Sequence, residues 1–82
     1  MEWTKHLEDM LVERGILSGW VQLAIRQPDR QEDHADGTRH YLKQIPEHDN
    51  RWLRVVVNVQ EQPHRAVTVF FDRRLRSTFH EN

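Results

Sequence analysis

From Trp52 to Val59 the chain alternates. Leu53, Val55, Val57 and Val59 fall on one side of an extended strand, and Trp52, Arg54, Val56 and Asn58 on the other. Successive side chains of a strand point to opposite faces, so the first set is committed to a core and the second to the reverse face. A one-residue slip in pairing would turn the whole apolar set to water. The chain must therefore build a sheet with one packed face and one face that carries Arg54. Ala66 to Phe71 repeats the pattern, with Val67, Val69 and Phe71 expected on the packed side and Ala66, Thr68 and Phe70 on the reverse. Gln62-Pro63-His64 turns the chain between the two strands.

The layer that covers this sheet lies upstream. Trp3, Leu7, Met10 and Leu11 recur at helical spacing, opposite Lys5, Glu8, Asp9 and Glu13. Thr4 suits the N-cap, and Gly15 suits the left-handed stop, with Ile16 folding back on the last turn. Ser18 is expected to cap a second helix whose stripe is Trp20, Val21, Ala24 and Ile25, and Pro28 ends it. Arg30 to His34 then reads as a polar edge strand, Asp36-Gly37 as a two-residue type I′ turn, Arg39 to Ile45 as the returning strand and Pro46 to Asn50 as a loop. Which alternate set of the returning strand meets the helices stays open: Arg39, Tyr41 and Lys43 on the reverse face would leave His40 and Leu42 inward.

The expected fold is α+β, two N-terminal helices packed on one face of a four-stranded antiparallel sheet. Its 82 residues suffice for a single domain, with an ordered core over residues 3–72 and a polar tail over 73–82. Without cysteine there is neither a disulfide framework nor a thiolate metal site, which fits a reducing cytoplasm. No apolar run is long enough to cross a membrane, and Met1-Glu2-Trp3-Thr4-Lys5 has no signal-peptide layout. A soluble cytoplasmic protein is expected. Net charge is −1, yet residues 1–38 carry four bases against eight acids and residues 39–82 eight bases against five acids. Such asymmetry suits a basic face toward phosphate or an acidic partner, or ordinary scatter over a solvated surface.

The ordered set His6, Arg14-Gly15-Ile16, Pro28-Asp29, Arg39-x-Tyr41-x-Lys43, Leu53-Arg54-Val55-Val56-Val57 and Val67-Thr68-Val69 resembles one bacterial domain-of-unknown-function family. That family's architecture is similar to the small ribonuclease toxins of the RelE and BrnT kind, in which a curved sheet holds basic and aromatic residues against RNA. The resemblance implies an RNA-contacting, toxin-like domain with endoribonuclease activity and a small antitoxin-like protein as partner. It implies that Arg39, Lys43 and Arg54 hold the scissile phosphate and that His6 moves a proton, with Thr68 and Phe70 beside them on the RNA. Two positions depart from the pattern. Met10 replaces a helix arginine, and Phe70 replaces a tyrosine of the last strand. If either group serves catalysis in relatives, this chain binds without cutting.

Phosphodiester cleavage needs a base, an acid and positive charge at the phosphate. His6, Arg39, Lys43 and Arg54 offer those types, but so would many chains with twelve bases and six histidines. Arg14 reads equally as a donor to the end of its helix, His6 as a polar contact near a helix start, and Arg54 as a cross-strand partner. His34 and His40 flank the Asp36-Gly37 turn and can face each other across the hairpin. With no third ligand placed by spacing, no metal site is expected, and no cofactor motif is present. The competing reading is a non-catalytic interaction module or a self-associating domain that uses Trp52, Val56 and Phe70 as an apolar patch.

Overall fold

The computed structural model describes residues 1–75. Its elements are β1 (Glu2–Trp3), α1 (Lys5–Arg14), α2 (Ser18–Arg26), β2 (Arg30–Asp33), β3 (Thr38–Ile45), β4 (Arg51–Asn58) and β5 (Arg65–Phe71). Both expected helices and all four expected strands form, so the α+β class holds. The sheet itself differs: it has five strands in the order β1-β5-β4-β3-β2, and β1 runs parallel to β5. A two-residue strand is too short to show a period, which is why the sequence pattern passes over it. The expected polar tail opens with an ordered turn in which Leu75 N–H donates to Asp72 C=O. Residues 76–82 lie outside the described residues.

The ends of α1 behave as their residues dictate. Thr4 Oγ1 accepts from Leu7 N–H and donates to Val67 C=O, so one hydroxyl caps the helix and ties it to β5. Gly15 adopts φ +64° and Ile16 N–H donates to Leu11 C=O, which closes the helix and buries Ile16. At α2 the cap position is Leu17, without a side-chain bond, and Ser18 is already helical. The helix ends before Pro28 as expected, with Gln27 at φ −137° and ψ 62°; Lys43 Nζ donates to Gln27 C=O at 2.8 Å, and Asp29 bonds to the β3 backbone at Leu42 and Gln44. Lys43 and Asp29 thus staple the end of α2 to β3.

The core forms between helices and sheet. Leu7, Val21, Ala24, Leu53, Val55, Val57 and Val69 are fully buried, α1 lies against β5, and α2 spans β3 and β4. Burying each of the larger ones stabilises by about 1.5–3 kcal/mol, which makes this layer the main support of so small a domain. In β3, Tyr41 and Ile45 enter the core; Arg39 and Lys43 share their parity, lying opposite Val57 and Leu53. In β5 a bulge at Val56/Val57 pairs Val56 with Thr68 and Val57 with Ala66, leaving Val67 as the extra residue. Ala66, not Val67, therefore meets the core. The hairpin turn also departs from expectation. His34 N–H donates to Thr38 C=O and Gly37 N–H to His34 C=O, and of Asp36 and Gly37 only the glycine has positive φ. This is a three-residue loop with glycine in the left-handed position, and Asp36 accepts from the Thr38 N–H rather than adopting a type I′ geometry.

Candidate functional site on the open sheet face

Arg54 leaves β4 on the face away from the helices, yet it is only 6% exposed. A buried guanidinium must spend its donors on acceptors nearby. Nε donates to Asp72 Oδ2 at 2.8 Å, and Nη1 donates to Glu32 Oε1 at 3.0 Å and to His40 Nδ1 at 2.8 Å. The three partners come from the end of β5, the edge strand β2 and β3. Asp72, 4% exposed, also accepts from Arg74. Arg74 first, then Arg54, holds the Asp72 carboxyl well below the usual carboxylate range. Glu32 is held below its ordinary value by the hydrogen bond from Arg54 and then by His34.

The histidines acquire defined roles from this arrangement. Arginine cannot accept a hydrogen bond, so His40 Nδ1 must be the acceptor of that ring. Burial, then the charges of His34 and Arg54, push the His40 pKa down and favour the neutral form. The neutral ring therefore carries its proton on Nε2, which lies 3.2 Å from Thr38 Oγ1, and Thr38 in turn donates to Asp36 Oδ1 at 2.6 Å. His34 stacks on His40 with centroids 3.7 Å apart and an interplanar angle of 17°. Its Nε2 lies 3.1 Å from Glu32 Oε1. The two rings do face each other across the hairpin.

A metal fits this cluster poorly. Glu32, His34 and His40 bring one ligand atom each within 4.8 Å of one another. However, Arg54 Nη1 already donates to both Glu32 and His40, so an added cation would meet a guanidinium. Stacked, nearly parallel rings also aim their in-plane lone pairs alongside each other rather than at one point.

The remaining candidates are split between the faces. Thr68 and Phe70 share the open face with Arg54, Phe70 directly opposite it and Thr68 opposite Val56, both half-buried. Arg39 and Lys43 have the parity of the helix-side residues. Arg39 Nε donates to Asp33 across the hairpin at 2.6 Å, and Lys43 caps α2 and pairs with Asp29. His6 is exposed on α1, across the sheet from Arg54. The set of His6, Arg39, Lys43 and Arg54 is thus not assembled in one place. Trp52 is buried with Arg30 lying over its ring, so it adds no open apolar surface beside Val56 and Phe70. Glu32 and Asp72 were not singled out by sequence, and His40 only as the partner of His34 across the turn; the sign of the ion-pair cluster was a charged Arg54 inside an apolar strand.

Clefts also lie elsewhere among the described residues. One of about 600 Å³, lined by Trp3, Glu8, Gln22, Ile25 and Arg26 among others, has no convergent set of reactive groups. Another, of about 390 Å³, lies at the end of the sheet beside the C-terminus of α1 and is lined by Arg14, His48, Arg51, Phe71 and Arg73. No helix among the described residues is long and apolar enough to cross a membrane.

No curated protein and no solved structure matches the chain significantly. Residues 3–71 match a family described as Domain of unknown function (DUF4258), a span that covers every helix and strand from Trp3 to Phe71. The chain belongs to that family.

Proposed function

We propose that the chain contacts RNA through the open sheet face and cleaves it by 2′-O-transphosphorylation. The observation that carries this reading is a partly exposed His34 held by the Glu32 carboxylate, which a buried guanidinium fixes in turn. Glu32 Oε1 accepts a hydrogen bond from Nε2–H of neutral His34, which leaves Nδ1 as the acceptor of the ring. Nδ1 takes the proton of a ribose 2′-hydroxyl, the 2′ oxygen attacks phosphorus, and the bond to the 5′ oxygen breaks. The imidazolium returns the proton to the departing 5′ oxygen, giving a 2′,3′-cyclic phosphate and a 5′-hydroxyl end. Arg30 and Arg74, at either side of the cluster and more exposed than Arg54, supply positive charge to the phosphate. Arg54 acts as a positioning residue, since its Nε and Nη1 donors are taken by Asp72, Glu32 and His40. Half-buried Phe70 and Thr68 border the same surface.

The test is incubation of purified protein with an end-labelled oligoribonucleotide, with identification of the product ends. Cyclic phosphate ends that disappear in His34→Ala and fall at least tenfold in Glu32→Gln are expected. RNA left intact by excess protein, together with normal growth of a bacterial host expressing it, removes the reading.

A further inference from the structure

We infer that the cleft lined by Arg14, His48, Arg51, Phe71 and Arg73 is a second site, built for a nucleotide phosphate with its base stacked on the His48–Phe71 platform. It lies on the helix side of the sheet, apart from the Glu32–His34 cluster, and stands whether or not that cluster cleaves RNA.

Charge is the first argument. Among the described residues, Lys5, Arg30, Arg39, Lys43, Arg54, Arg65 and Arg74 all stand in ion pairs with carboxylates. Arg14, Arg26, Arg51 and Arg73 do not, and three of these four line this one cleft, into which no carboxylate of the described residues projects. Glu47 and Asp49 flank His48 in the turn without pairing with any of them. In a chain of net charge −1 with thirteen acids, three unneutralised guanidinium groups around one hollow leave a concentrated positive field. Arginine forks suit the oxygens of a phosphate group, which they can engage two at a time.

The aromatic floor is the second argument. His48 stacks on Phe71 with centroids 4.5 Å apart at 25°, Trp20 contacts both rings, and the Arg51 guanidinium lies 5.6 Å over Phe71. Phe71 and Arg51 are fixed by the sheet, one ending β5 and the other opening β4, while His48 is held in the short 3-10 turn Pro46–His48. Arg14 is placed by the glycine stop of α1, and its side chain makes no hydrogen bond among the described residues. Arg51 Nη1 also lies 3.4 Å from His48 Nε2, which ties one guanidinium to the ring pair. A partly exposed stacked ring pair beside guanidinium groups that no carboxylate pairs with is what base stacking and phosphate binding require together. The cleft is also of ligand size.

The experiment is calorimetric titration of the purified protein with inorganic phosphate, adenosine monophosphate and a 5′-phosphorylated tetraribonucleotide. The mononucleotide should bind at least tenfold tighter than phosphate, and raising the salt should weaken both. Arg51→Gln should weaken the mononucleotide at least tenfold, with an unchanged melting temperature as the check on folding. His48→Ala should reduce nucleotide binding while sparing phosphate. His34→Ala on the other face should change neither, which separates this site from the proposed cleavage site. The tetranucleotide distinguishes the sources: tighter binding than the mononucleotide assigns an RNA end, equal binding a free nucleotide. Absence of binding by all three ligands overturns the inference. So does an equal loss in Arg26→Gln, which would mean only overall charge is sensed.

Discussion

Replacing Arg54 with methionine keeps an unbranched apolar stem and removes the guanidinium donors from the centre of the open face. Asp72 and Glu32 would each lose their bond to the guanidinium, and His40 Nδ1 would lose its donor. Breaking a buried ion pair from one side costs about 3–5 kcal/mol, most of it from the charge left behind. Asp72 retains Arg74 and Glu32 retains His34 at a partly solvated position, so a loss of about 3 kcal/mol is expected. In a domain of this size that corresponds to a fall of about 12–24 °C in melting temperature. Thermal unfolding followed by circular dichroism measures it. The pH dependence gives an internal check. The folded pKa of Asp72 is depressed, so its contribution is present above the unfolded value near 3.8 and is lost as pH falls toward the folded one. The gap between wild type and variant should therefore narrow in acid below about pH 4. Adding Asp72→Asn to Arg54→Met should recover part of the loss. A fall of under about 4 °C at neutral pH, or a gap that persists unchanged in strong acid, would refute a stabilising buried pair.

Val55→Asp should cost several kcal/mol and unfold the domain at ambient temperature in urea titrations, because Val55 is fully buried between β3 and β5, whereas Asn58→Asp should lie within about 0.5 kcal/mol of wild type. Thr4→Ala should lose about 1–2 kcal/mol in chemical denaturation, since the hydroxyl both caps α1 and donates to Val67 C=O. The folded pKa of His40 lies below its ordinary 6.5, so stability should decline as pH falls through that value, and His40→Gln, which keeps an acceptor for Arg54, should reduce the slope of midpoint against pH between about 7 and 5.

The parts of the fold legible in sequence were those with a sustained period. Leu53, Val55 and Val57 fixed the face of β4, and Leu7, Val21 and Ala24 supplied its cover. β3 resisted because both of its alternate sets are half apolar: Arg39 and Lys43 bracket Tyr41, and His40 accompanies Leu42. Long basic side chains reach the rim from an inward-facing position, so charge did not mark the outside. In β5 the extra residue at the bulge exchanged Val67 for Ala66 without disturbing the visible pattern. The open-face cluster was legible at Arg54 and in the His34–His40 pair across the turn. The Arg54 partners Glu32, His40 and Asp72 stand far apart in the chain and meet through strand register, which single residues do not announce.

The contact of α1 with β5 has a consequence for the way the chain is made. Thr4 bonds to Val67, 63 residues later, and Leu7 and Met10 lie in one core with Val69. During synthesis α1 emerges well before β5, the strand it lies against, so its apolar stripe waits in water while about fifty further residues are added, a few seconds at ordinary elongation rates. The meander β2 to β5 contains only neighbouring pairings and can zip as it appears. The parallel β1 contact closes the longest loop of the fold and belongs at its end. The helix that comes first in the sequence is then among the last elements to find its place, and the interval before it does is when a chaperone has most to hold.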